Sequence, residues 1–248
     1  MTPLTAGRPF QAFSGQHWLL LGLFAVGVVL VARWGHSHRG TQREIPARRS
    51  FAVLIAAIAL TMQVYYQLEP GGFDLGESLP VQLCDVATVT AVVALWSRSR
   101  RAAAFTYYVA LTLSVQGILT PALEQGFPSP RFFGFFALHF LVVWSAVYLT
   151  WGLGMRPSWR LYGFTCAATS VWVGVAFVLN ALLGTNYGYL DRKPSSGSLL
   201  DLLGPWPVYV LLEVAIVAAG WALVLTWPWQ WHRDGGALPT YSSGRETR

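Results

Sequence analysis

Seven long apolar runs follow one another along the chain, separated by short polar connectors. They fall at roughly residues 17–34, 51–68, 79–96, 103–120, 132–153, 161–183 and 206–227. The apolar positions are continuous rather than alternating, which argues against strands of period two. Each run reaches or approaches the ~20 residues that cross a ~30 Å hydrocarbon layer as a helix. The pattern predicts an all-α membrane protein, a seven-transmembrane-helix bundle that forms one domain over residues 1–232. The stretch "RDGGALPTYSSGRETR", 233–248, is polar and predicts a disordered tail. The first run lacks a good small-x-small cleavage site at "VVLVARWGH" and is expected to be kept as a helix.

Composition agrees with the pattern. Apolar residues are 54% and charged residues 11%, where soluble domains carry about 25% charged. The net charge of +6 would raise the question of a nucleic-acid partner, but its distribution answers it. Of the 17 Lys and Arg, 13 lie in the connectors and tail that share one side: Arg33 to Arg49, Arg98 to Arg101, Arg156, Arg160 and the tail arginines. By the positive-inside rule the N-terminus is expected outside and the C-terminus in the cytoplasm of a multi-pass cell-membrane protein. The expected partners are membrane lipids, and the charge calls for no nucleic acid.

With that orientation, helical rise sets depth. Cys84 lies roughly 7 Å below the outer boundary, and His139 roughly 10 Å. Glu213, Gln63, Gln67, Gln116 and Asn180 fall in the same outer layer, and Gln82 and Asp85 flank Cys84. The cytoplasmic halves are expected to hold no comparable set, and His139 to be the sole intramembrane imidazole. Polar groups within spans are costly and face a bundle interior or a wet cavity. Each one also has a plain reading, because Gln and Asn join helices by hydrogen bonds and a thiol packs as a small hydrophobe. Cys84 and Cys166 sit at depths roughly 15 Å apart and are not expected to pair, since a disulfide needs Cα atoms within about 7 Å. One imidazole and scattered carboxylates lack metal-ligand spacing, so no metal and no cofactor is expected.

The stretch from Asn186 to Leu211, "NYGYLDRKPSSGSLLDLLGPWPVYVL", begins with a turn-rich segment. Ser198 and Asp201 then form a Ser-x-x-Asp box that can cap a short helix, "LLDLL", stopped by Gly204-Pro205. Such a helix is expected to lie over the outer mouth as a lid. Together with "LPVQLCD" at 79–85, this stretch resembles the bacterial YwaF-like integral membrane family over residues 50–228, and is distantly similar to a eukaryotic membrane acyltransferase that remodels ether phospholipids. The resemblance implies a nucleophile at Cys84 and a base at His139. Relatives often carry His two residues before the cysteine, where this chain has Gln82.

Three readings follow as expectations, one of them a structural or assembly partner with no ligand. The first is a lipid acyltransferase or hydrolase in which His139 takes the Cys84 proton and Asp85 or Glu213 orients the imidazole. Gln82, Gln116 or Asn180 would supply oxyanion hydrogen bonds, and Gln63, Asn186 and Glu213 would complete the substrate pocket. The alternative is a non-enzymatic protein that binds or transports a lipid or small molecule through the same polar layer.

Overall fold

The computed structural model describes residues 10–68, 74–121, 123, 125–194 and 198–234. Most of the expected tail lies outside the described residues, and the last helix continues to Asp234. The described residues are helical with no strand. Seven long helices match the seven apolar runs: α1 Gly15–His38, α2 Glu44–Leu68, α4 Leu83–Ser97, α5 Arg100–Leu119, α6 Pro130–Gly152, α7 Trp159–Leu183 and α8 Val208–Gln230. A single turn, α3 Leu75–Ser78, lies between α2 and α4. Six of these helices are long and apolar enough to cross a membrane, and α4 is a shorter apolar helix.

The 15 residues of α4 span only about 22 Å. Its expected start at residue 79 is not helical, because Val81 donates back to the Leu79 carbonyl and helical bonding begins after Gln82. The missing turns are replaced by residues 74–82, which fold against the end of α2. Gln63 and Gln67 both donate to the Ser78 carbonyl, at 2.6 and 2.8 Å.

Helices α5 and α6 form the centre. Phe132, Phe136, Phe140 and Val143 of α6 pack against Tyr108, Val109 and Ile118 of α5 and Ala87 and Ala91 of α4. Around them α1, α2, α7 and α8 expose Leu23, Leu30, Leu60, Val171, Leu182 and Leu223. A buried interior surrounded by an apolar exterior is what lipid requires of a bundle. Small residues let two helices meet closely. A Cβ on Gly35 of α1 would lie 2.9 Å from the Cα of Gly152 in α6.

Each of α5, α6 and α8 contains one widened π-type turn, at Ala110–Ser114, Tyr148–Gly152 and Trp221–Thr226. Those of α5 and α8 are joined. The Trp221 indole donates to Thr112 Oγ1 at 3.1 Å, and the hydroxyls of Tyr108 and Thr226 lie 2.7 Å apart. Thr226 also donates to the Trp221 carbonyl five residues back, at 2.7 Å, filling the gap that the wide turn opens. Beyond this junction, Leu211, Leu212, Val214 and Ile216 are all exposed.

One expectation is corrected at the arginine-rich end. No polar cluster was expected there, because Glu44 and Arg48 read as connector. Instead α2 begins at Glu44, and both residues are buried in its first turns. Arg48 donates to the Leu95 carbonyl and, at 2.6 Å, to that of Trp96, so it caps the C-terminal end of α4. Glu44 accepts from the Gly40 amide at 2.7 Å and pairs with Arg98 at 3.2 Å. A carboxylate and two guanidiniums thus stabilise the turn between α4 and α5 and the entry to α2.

Candidate functional site

The other end of the bundle carries the polar residues singled out in the sequence. Its frame is built by residues 186–194 and 198–204, packed over the tips of α4, α7 and α8. Asn180, in the last turn of α7, accepts from the Thr185 hydroxyl at 2.9 Å and the Tyr187 amide at 2.7 Å, and donates to the Tyr187 carbonyl at 3.2 Å. Asn186 binds the amides of Asp191 and Arg192, both at 3.2 Å, and donates to the Arg192 carbonyl at 2.8 Å. Both amides therefore shape the segment rather than offering free groups. Burial and the carboxylates of Asp74 and Asp85 push the Tyr187 hydroxyl up, so it stays protonated and donates to the Leu75 carbonyl.

"LLDLL" forms a 3-10 turn, Leu199–Leu203, with the expected box at its start. Ser198 accepts from the Leu200 amide at 3.2 Å, and Asp201 accepts from the Ser198 amide at 2.9 Å. Leu200 is buried with Leu190, Tyr187 and Tyr209. Two bonds tie this cover to α4 and its approach: the Gly188 amide donates to Gln82 Oε1 at 3.2 Å, and the Trp172 indole donates to the Val81 carbonyl at 2.8 Å. Gly188 has φ +67°, and a Cβ there would meet the Trp172 ring. A side chain is excluded on both counts.

Beneath the cover, Asp85 accepts from the Gln82 amide at 3.0 Å and caps α4. Cys84 starts a helical row, Cys84, Thr88, Ala91 and Leu95, whose last three members are buried, while Val89, Val93 and Trp96 of the same helix are exposed. The thiol is therefore on the interior face and half-buried, on the helix whose Ala87 and Ala91 pack against α5 and α6.

His139 lies in α6, its ring stacked on Phe135 at 4.1 Å between centroids. Its Nδ1 is 2.8 Å from the Phe135 carbonyl. A carbonyl only accepts, so Nδ1 carries the proton and neutral His139 keeps its Nε2 lone pair free. That nitrogen lies over Gly117 of α5, where a Cβ would come within 3.2 Å of it. The group that orients His139 is thus a main-chain carbonyl, not Asp85 or Glu213. No hydrogen bond joins His139 to Cys84.

The residues divide by availability. Gln63, Asp85, Asn180 and Asn186 are occupied by main-chain partners, and Gln82 through its Oε1. Cys84, His139 Nε2, the Gln116 amide and the Glu213 carboxylate make no side-chain hydrogen bond or ion pair among the described residues. Gln116 precedes the glycine beneath His139, and Glu213 lies half-buried in α8. Among the described residues, no three His, Cys, Asp or Glu side chains converge.

A second imidazole was missed. His17 read as the edge of the first run, but it is fully buried in the first turn of α1. Its Nδ1 accepts from the Phe13 amide at 2.8 Å, and its Nε2 donates to the Ile118 carbonyl at 2.8 Å. It thereby anchors α1 to the segment of α5 that passes under His139. The aromatic run at Phe10 and Phe13, which packs against it, was the available signal.

A model of the TMEM164 family matches residues 12–225, and the chain belongs to that family of membrane proteins. No curated protein and no solved structure matches it.

Proposed function

We propose that this member of the TMEM164 family is a multi-pass cell-membrane protein that transfers or hydrolyses lipid acyl groups near the outer leaflet, with Cys84 as nucleophile and His139 as base. The N-terminus then lies outside and the tail in the cytoplasm, as the 13-to-4 split of basic residues favours. The observation that carries the reading is the His139 tautomer. Its Nδ1–H is held by the Phe135 carbonyl, which leaves Nε2 as a proton acceptor on a helix packed against the one bearing Cys84.

In this reaction Nε2 takes the thiol proton and the thiolate attacks the ester carbonyl. An acyl thioester forms, and the lysolipid oxygen leaves with the proton from His139. A water or a second hydroxyl, deprotonated in turn by Nε2, attacks the thioester and restores the thiol. The Gln116 amide and the Gln82 Nε2 are donors available to the oxyanion. The likeness of "LPVQLCD" to YwaF-like proteins and to an ether-phospholipid acyltransferase supports the choice of nucleophile. Labelling by an acyl-chain electrophile tests it. Cys84→Ser should abolish labelling and His139→Ala should slow it, with both variants folded. Undiminished labelling of Cys84→Ser would remove the reading.

A second reading is a lipid-binding protein without chemistry. The absence of a hydrogen bond between Cys84 and His139 favours it. It is the conclusion if lipid is retained by the parent and by Cys84→Ser alike, with no turnover in either.

A further inference from the structure

We propose that the arginine-rich end contains a binding site for a phosphate-bearing anion, separate from the Cys84 end and independent of any reaction there. A shallow cleft, open to solvent, lies between the start of α5 and the connector from α6 to α7. Arg100 and Arg156 border it, and Tyr107, Met155, Pro157 and Leu161 complete its wall.

Three observations converge on an anion. Both arginines are exposed and, among the described residues, neither makes an ion pair, whereas Glu44, a carboxylate buried at this end, is taken by Arg98. Two guanidiniums without a carboxylate partner bordering one cleft repel each other unless a negative group lies between them, and each offers the forked donors that fit a phosphate. The pocket also adjoins the first turn of α5, capped by Ser99 through the Ala102 amide at 3.4 Å. The remaining first-turn amides there add positive potential.

The walls restrict what enters. The Tyr107 hydroxyl is filled on both sides, donating to the Leu225 carbonyl at 3.1 Å and accepting from the Trp229 indole at 3.1 Å. Arg156 is held 5.5 Å above the Trp229 ring. Met155, Pro157 and Leu161 give an apolar side. A phosphodiester with an apolar continuation, such as an anionic phospholipid at the inner leaflet, fits both faces, and a soluble phosphate ester fits the charged face alone.

The test uses the full chain in neutral detergent, titrated separately with phosphatidylglycerol, phosphatidylcholine and inorganic phosphate, with bound ligand counted by native mass spectrometry. Phosphatidylglycerol should be retained in preference to phosphatidylcholine. Arg100→Gln with Arg156→Gln should weaken retention about tenfold, the scale of losing charge-assisted contacts. Arg33→Gln with Arg43→Gln removes equal charge from the same end and should change retention little. Phosphate binding that depends on Arg100 and Arg156, with no tighter hold on phosphatidylglycerol, would identify a soluble ester as the ligand and keep the site. Equal losses in the two double variants, or no preference for any anion, would overturn it.

Discussion

His139 Nδ1 and the Phe135 carbonyl lie 2.8 Å apart on the same helix, and this contact alone decides which nitrogen of His139 can take a proton. The free Nε2 faces a glycine. Replacing Gly117 with Val would press a branched side chain into the ring, since even a Cβ would lie 3.2 Å from Nε2. Labelling of Cys84 by an acyl electrophile should then fall about a hundredfold, the low end of what general-base catalysis contributes. Unchanged labelling rates would argue against Nε2 as the base.

The cover over the site depends on Gly188. Its φ of +67° and the Trp172 ring against it make Gly188→Ala costly, by about 1–3 kcal/mol. The melting temperature in detergent should drop. Spin labels on residues 186–194 should gain mobility, while those at the arginine-rich end keep theirs.

Arg48 caps α4 from inside the bundle through the Leu95 and Trp96 carbonyls. Arg48→Met keeps much of the volume but leaves both carbonyls unmet. Removing one member of a buried charged set costs about 3–5 kcal/mol, so thermal unfolding should show a large loss. Arg49→Met, on the exposed side beside Trp96, should cost well under half of that.

Gly35 and Gly152 set the approach of α1 to α6. Gly35→Leu should abolish the folded fraction on size-exclusion chromatography, and Gly35→Ala should lower the melting temperature by an overpacking cost of about 1–3 kcal/mol. Gly22, which has nothing within 4 Å of an added Cβ, should accept Ala without loss.

Apolar continuity was enough to read the helices and their number, because a bundle in lipid has little freedom in where its spans fall. The cover was legible too, as the Ser198 box acts through residues three apart. The polar residues were legible as a layer but not in their roles. Asn180, Asn186 and Gln82 satisfy main-chain groups of turns that exist only once α3 and the cover have formed, and no local pattern announces that demand. Glu44 and Arg48 were read as connector for a related reason. Charged side chains look like the end of a span unless the carbonyls they meet, here from the far end of α4, are known. His17 was missed because its partner is 101 residues away.

The joined wide turns of α5 and α8 hold α8 at Trp221 and Thr226, and the Tyr209 hydroxyl holds its tip through the Tyr189 carbonyl. Between those anchors, positions 211, 212, 214 and 216 answer to greasiness alone, so natural variation there should run freely among Leu, Val, Ile and Phe. Glu213 sits amid that neutral stretch, and greasiness alone gives no reason for a carboxylate there; its retention or loss among relatives would be a record of selection on what the Cys84 end of the bundle does.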